Sequence, residues 1–233
     1  MKKSTSTLIA IVLGVVIIGL IYWLYASIMT PVKFENEYTK RRDACAEKLK
    51  AIRTLEEAYK ITYGKYCASF DTLFDRLLNE DSMKVVSKVI NYDLIPEDVD
   101  INEMTEMDAV KKGYITRKEI FINPVTKMRD DKKLMVTATD GSVHAMTDQE
   151  ILNLRYVPYP KNRQYDFTLQ AGFIDKGGYQ VPVFECKVEM TDLLADLNHQ
   201  LVVNKLASLD QAHRYPGWKV GDMNQALTDG NFE

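Results

Sequence analysis

The hydropathy pattern divides the chain into two regimes. "LIAIVLGVVIIGLIYWLYASI", from Leu8 to Ile28, has no charge and no polar face. At ~1.5 Å per residue, a helix of this length crosses a ~30 Å hydrocarbon layer. Thirteen of its residues are Leu, Ile or Val, and at roughly 0.3–0.6 kcal/mol each near the bilayer centre they favour insertion. Tyr22, Trp23 and Tyr25 gather towards the far end, where amphipathic rings prefer the headgroup region. The pattern predicts a permanent transmembrane helix over 8–28, with the lipid bilayer as its partner. A cleaved signal peptide would have an apolar core of about 7–15 residues and a small-x-small site, for which "YASIMT" is a weak match.

Beyond Pro31 the texture becomes amphipathic. Phe34, Tyr38, Cys45, Leu49, Ile52, Leu55 and Tyr59 recur at the three- and four-residue spacing of one helix face, while Glu, Lys and Arg fill the others. This predicts a helix over 33–63, separated from the membrane segment by a kink or break near Pro31. Gly64 stops it as a left-handed C-cap. "SFDTLFDRLLN" restarts a helix capped by Ser69, with Leu73, Phe74, Leu77 and Leu78 turned inward. The joint "YGKY" is thus a structural corner, with Tyr59, Tyr63, Gly64, Tyr66 and Phe70 expected to fix the angle between the two helices by aromatic packing.

The remainder, 64–233, reads as an extracytoplasmic α+β domain with an antiparallel sheet. "NYDLIPEDVDINEMTEMDAVKKGYI" is acidic and irregular around Pro96, apart from a short helix capped by Thr105 and ended by Gly113. "YITRKEIFINPV" alternates at Ile120 and Ile122 and turns at Asn123-Pro124. "KLMVTATDGSVHAM" predicts two strands about an Asp140-Gly141 turn. "LRYVPYP" suits a short edge-like extended piece. "QYDFTLQAGFIDKGGYQVPVFECKVEM" is a hairpin turning at "DKGG", with Phe167, Leu169, Ala171 and Phe173 on one face. "MTDLLADLNHQLVVNKLASLDQ" predicts one amphipathic helix capped by Thr191, its stripe running through Leu194, Leu197, Leu201, Val202, Leu206 and Leu209. The Gly-, Pro- and Asn-rich tail is expected to be irregular and docked by Tyr215 and Trp218. Tyr38, Leu49, Ile52, Tyr215 and Trp218 are the candidate interface residues.

Charge then narrows the function. Net charge is −3, and Lys2 and Lys3 are the only charges in residues 1–30, leaving 28 basic and 33 acidic residues beyond them. A mildly acidic body lacks the positive face that nucleic-acid phosphates demand. Lys2 and Lys3 favour a short cytoplasmic tail over 1–7. Lys33, Lys40, Arg41 and Arg42 pull the other way, but long domains translocate largely regardless of charge. The expected placement is single-pass in a bacterial inner membrane, with the body periplasmic. Cys45, Cys67 and Cys186 are an odd count with no C-x-x-C pair, which leaves their disulfide pairing open and gives no support for a zinc or thioredoxin-type site.

Catalytic templates do not fit. There is no G-x-S-x-G, H-E-x-x-H, P-loop or G-x-G-x-x-G. His144, His199 and His213 are widely separated. Asp71 and Asp75 have the spacing of paired acids but sit where they complement a helix N-terminus. The acidic "NEDS" and "EDVDINEMTEMD" do not match a calcium loop, and the "DKGG" glycines lie between strands rather than before a helix. No catalytic residue, metal or cofactor is predicted.

The order of these elements resembles a type IV pilin or pseudopilin: a membrane helix, an amphipathic continuation, a tyrosine, "G-x-Y" and a segment ending in Leu. The matching positions are Tyr59, Gly64, Tyr66, Phe70 and Leu73 in "YKITYGKYCASFDTL". The resemblance covers roughly residues 1–78 and implies a sheet packed against the helix. Pilins also carry a Gly-Phe cleavage junction and an early glutamate in the oily segment. "STSTLIAIVLGV" has neither, so processing and polymerisation fall outside what the resemblance implies. "VPVFE" and "RYPGWKVG", Val181–Glu185 and Arg214–Gly221, are similar to pieces of single-pass bacterial envelope proteins. The expected function is a noncatalytic, inner-membrane-anchored scaffold or interaction subunit, with other envelope proteins as partners and a homo-oligomer as an option. The alternatives are a pseudopilin-like subunit of a secretion or pilus system, an accessory subunit of an energised membrane motor, and a membrane-tethered hydrolase.

Overall fold

The computed structural model describes residues 2–96, 99–101, 104–138 and 141–232, with side chains from residue 12 onward. Glu97, Asp98, Asn102 and Glu103 of the acidic stretch, and Asp140 of the expected turn, lie outside these. The fold is α+β: a long N-terminal apolar helix, small antiparallel sheets and a helix near the C-terminus.

Helix α1 spans Lys2–Tyr63, 62 residues with Pro31 inside it. Of the kink or break expected near Pro31, a break does not occur: the helix runs on through the proline. Proline removes one intrahelical hydrogen bond and crowds the preceding turn, but the apolar run before it and the amphipathic run after it both propagate helix. Thr30 Oγ1 donates to the Ala26 carbonyl at 2.7 Å, keeping a polar bond beside the gap. At its far end the N–H of Gly64, at φ 74°, donates to the Lys60 carbonyl at 2.8 Å, a left-handed cap that a Cβ would disfavour. Helix α2, Phe70–Asn79, buries Phe70, Leu73, Phe74 and Leu77. Ser69 occupies its N-cap position but makes no side-chain cap bond, contrary to expectation; its carbonyl accepts instead from Leu73 N–H and from Cys67 Sγ.

Strand β1, Met83–Ile90, was not legible in the hydropathy pattern; it pairs antiparallel with β2, Ile115–Ile122, in a two-stranded ribbon. A 3₁₀ turn at Tyr92–Leu94 and helix α3, Glu106–Lys111, lie at its tip, with Thr105 Oγ1 capping α3 through Asp108 N–H. Only the base of the ribbon is buried, at Met83; Val86, Tyr92 and Phe121 are 50%, 74% and 64% exposed. Asn123 does not turn the chain but caps helix α4, Pro124–Asp130, through Thr126 N–H, because proline at the first helical position needs no N–H partner. Strands β3, Met135–Thr137, and β4, Val143–Ala145, form the expected hairpin. Helix α5, Asp148–Leu152, carries a capping box between Thr147 and Glu150. The expected extended piece is a 3₁₀ turn, Asn153–Arg155, and a single bridge from Tyr156 to Asp166.

The main sheet has the order β5–β6–β7: Thr168–Lys176, Tyr179–Glu189 and Gly217–Gly221, all antiparallel. The tail was expected to be irregular, yet Gly217–Gly221 forms the third strand, since Trp218 and Val220 are apolar at alternate positions and buried. The single C-terminal helix is corrected as well. It divides into α6, Met190–Leu193, and α7, His199–Gln211. Glu189, not Thr191, stands at the first N-cap, and Asn198 caps α7 by accepting from Leu201 N–H at 3.2 Å. Asp196 is drawn to Arg41, so the intervening residues leave the helical path.

The outer half of α1 is the spine of this body. Cys45, Leu49, Ile52 and Leu55 are fully buried, with Phe184 and Cys186 of β6 and Leu73 of α2 in the same core. Gly221, at φ 76°, closes β7 where an added Cβ would lie 2.2 Å from the Phe184 carbonyl oxygen. Gly221→Ala therefore combines backbone strain with a clash and is expected to destabilise by about 2 kcal/mol or more, whereas Gly113→Ala is expected to lose only about 1 kcal/mol. Gly113 shares the positive φ, 78°, but has nothing within 4 Å of the new Cβ. Denaturant titration of both variants checks the difference.

Candidate functional site

At the corner, α1 ends at Tyr63 and α2 begins at Phe70, but the four expected rings do not gather into one cluster. Tyr59 and Tyr63 pair at 4.5 Å between centroids, Phe70 pairs with Phe74 at 5.6 Å, and Tyr66 crosses to Phe184 of β6 at 4.6 Å. Arg76 lies over the Tyr63 ring and Lys60 over the Tyr66 ring. The Tyr63 hydroxyl donates to Glu80 at 2.6 Å. The corner is a buckle that joins α1, α2 and the sheet.

The group beneath it that sequence reasoning missed is Glu56. Its side chain has no exposure; Oε2 accepts from the Cys67 backbone N–H at 2.9 Å, and Oε1 has no hydrogen-bond partner. Burial drives its carboxyl up to about 8, with the Cys67 N–H opposing. Glu56 thus ties the turn after Gly64 back to α1. An acid amid the stripe Ile52, Leu55 and Tyr59 was the available signal. The three cysteines are free and buried. Burial pushes the Cys45 thiol up to about 12 and raises Cys67 and Cys186 as well, which disfavours thiolate chemistry.

Arg41 is the second missed residue. It is 5% exposed and forms a bidentate pair with Asp196, its Nη2 lying 3.0 Å from Oδ2. Nη1 also donates to the Leu193 carbonyl at 3.0 Å, and the guanidinium lies 4.9 Å from the Tyr159 ring centroid. Hydrogen bonding from Arg41 holds the Asp196 carboxyl below its usual value. Nearby, Lys205 of α7 pairs with Glu35 at 2.9 Å and lies over Tyr38.

The expected interface residues are largely committed within the chain. Leu49 and Ile52 have no exposure and cannot meet a partner, because the body wraps the helix face that carries them. Tyr38 and Trp218 pack on one another at 5.7 Å. Tyr215 is half-buried, 5.9 Å from the Lys219 amine.

A groove of about 430 Å³ runs between α1 and β3, lined by Ala44, Ala51, Met135, Met146 and Leu154, with Lys48 at its side. Burial lowers the Lys48 amine to about 8, but Nζ already donates to the Asn153 and Tyr156 carbonyls at 2.8 and 2.7 Å. It closes the end of a 3₁₀ turn. His144 meets Glu150 at 3.2 Å, and Glu150 is engaged by Thr147. Among the described residues no group of three His, Cys, Asp or Glu side chains gathers as a metal site. The chain matches no family model, no curated protein and no solved structure.

Proposed function

We propose that the chain is a noncatalytic, single-pass subunit of the bacterial inner membrane, with its N-terminus cytoplasmic and its body a periplasmic scaffold that binds other envelope proteins. The observation carrying this reading is that one helix serves two solvents. Among the described residues it is the one helix long and apolar enough to cross a membrane, with mean hydropathy 2.3 and none of its most apolar stretch buried by protein. Ile18 and Trp23 are 69% and 68% exposed. In water these side chains would lose the free energy that burial supplies, about 1.5–3 kcal/mol for each large one, so lipid is their natural cover. Past Pro31 the same helix becomes the core of the body. The exposed apolar side chains of the β1–β2 ribbon support partner binding, since an isolated two-stranded ribbon is marginal in water.

The β5–β7 sheet against the outer half of α1 favours a second reading, a pseudopilin-like subunit. It predicts N-terminal trimming, and an intact native mass that includes Met1 would count against it. For the first reading, full-length protein is expected in the detergent phase on cloud-point partition and in crosslinked complexes with other envelope proteins. Recovery in the aqueous phase as a solitary species would end it.

A further inference from the structure

The two edges of the main sheet are treated differently. Along β7 the C-terminal segment closes the edge: Gly230 bridges Val220, Gly221 N–H donates to the Asp229 carbonyl, and Asn231 N–H donates to that of Lys219, the last two at 3.1 Å. Along β5 the backbone partner on the outer side ends before the strand, where Phe167 N–H reaches the Arg155 carbonyl and Val157 N–H that of Tyr165; farther on, the Met223 side chain lies near Gly172 and residues 224–227 line a hollow with 174–176. From Thr168 onward β5 pairs with β6 on one side, and among the described residues no strand lies on the other. Residues 168–174, "TLQAGFI", have no charge and no proline. Folded proteins normally blunt such an edge with charges, proline or a cover. The ribbon strands obey that rule, with Lys84 and Lys88 on β1 and Arg117, Lys118 and Glu119 on β2.

We infer that the free edge of β5 is the docking site for an extended, uncharged segment of a partner protein, which adds as a fourth strand. This rests on the interaction-subunit reading and names the chemistry of its partner. An unpaired strand edge offers backbone N–H and C=O groups at alternate residues, and the protein element that matches that row, in place of water, is another extended backbone. Leu169 and Ala171 are half-buried and Phe173 is 54% exposed, all on the face towards α1, so the incoming strand places apolar residues at alternate positions beside them. A second copy is the wrong occupant. Phe184 of β6 lies beside Tyr66 at the far end of α1, whereas Val188 pairs with Trp218, which touches Tyr38 near the membrane. Hence β6 runs back towards the bilayer and β5 runs away from it. A two-fold antiparallel β5–β5 joint would point the two α1 helices in opposite directions, which two chains anchored alike in one membrane cannot do.

The test uses full-length protein in phosphatidylcholine nanodiscs with the end-capped peptide TVTVTV, reading amide hydrogen exchange over 168–174. The peptide is expected to slow exchange there about tenfold, the effect of a few added backbone hydrogen bonds, and to leave 83–90 and 217–221 unchanged. Gln170→Lys and Phe173→Lys, each placing a charge on the rim outside the core, are expected to abolish the slowing without moving the thermal transition. Should one of them unfold the body, the other decides. Unchanged exchange at 168–174 overturns the inference, as does equal slowing by the proline-interrupted peptide TPTPTP. Slow exchange without peptide that grows with protein concentration assigns the edge to a second copy and overturns it as well. A chain that anchors and crosslinks to partners while its edge ignores the peptide loses this inference and keeps the scaffold reading.

Discussion

Glu56→Gln is expected to make the protein more stable at pH 8 by about 2–4 kcal/mol while changing it by no more than about 1 kcal/mol at pH 5. The folded chain holds this carboxyl at about 8, against an ordinary value of 4.5. Between those values the unfolded chain releases a proton that the folded chain keeps. The folded state therefore binds more protons, and stability falls as pH rises across the window. The contribution is fully present below about 4.5 and gone above about 8, a difference of at most ~5 kcal/mol. Glutamine cannot ionise, yet it retains an oxygen for the Cys67 N–H. Chemical denaturation of the full-length protein at pH 5, 6.5 and 8 measures this. Parallel pH profiles for the two proteins would show that Glu56 is hydrated or already paired.

Arg41→Met is expected to destabilise by about 2–4 kcal/mol at neutral pH, because removal of one partner from a buried pair strands the other. The loss includes the bond to the Leu193 carbonyl and the stack on Tyr159. The lower end of the range reflects Asp196, whose side chain is 33% exposed and can regain water. Replacing both partners, Arg41→Met with Asp196→Leu, is expected to restore at least half of the loss, as buried pairs exchanged for apolar groups usually do. A double-mutant cycle by thermal and urea unfolding reads the coupling directly. Additive single effects would mean that Arg41 and Asp196 act independently and that the pair does not hold α1 against the segment between α6 and α7.

Where periodicity was strong, the sequence was a good guide. The apolar run, the stripe from Phe34 to Tyr59, the Gly64 stop and the hairpin around "DKGG" are all local signals, and each corresponds to an element. The missed strands and caps share a physical cause. Met83–Ile90 and Gly217–Gly221 are strands because a distant segment pairs with them, and the alternation of Trp218 and Val220 in the second is too short to stand out from a Gly- and Pro-rich tail. Asn123 and Asn198 act as caps only because the next residues take a helical path, which tertiary packing decides. At Pro31 the helix on both sides overrode the local cost of a break, and the membrane segment continues into the amphipathic helix as the pattern led one to expect. Glu56 and Arg41 were hidden for a different reason: a charged residue on an amphipathic helix ordinarily reads as solvated surface, and only the wrapping of α1 on several sides makes them interior.

Because α1 runs as one helix from its apolar stretch into the body, an anchor placed in the bilayer as proposed above has no flexible linker between it and the body. On that placement a twist or a vertical push on the apolar segment is carried along α1 to the Tyr63 corner, ~50 Å farther on by helix rise. On the proposed placement the body holds its heading relative to the bilayer, and a partner would approach it from a set direction and height.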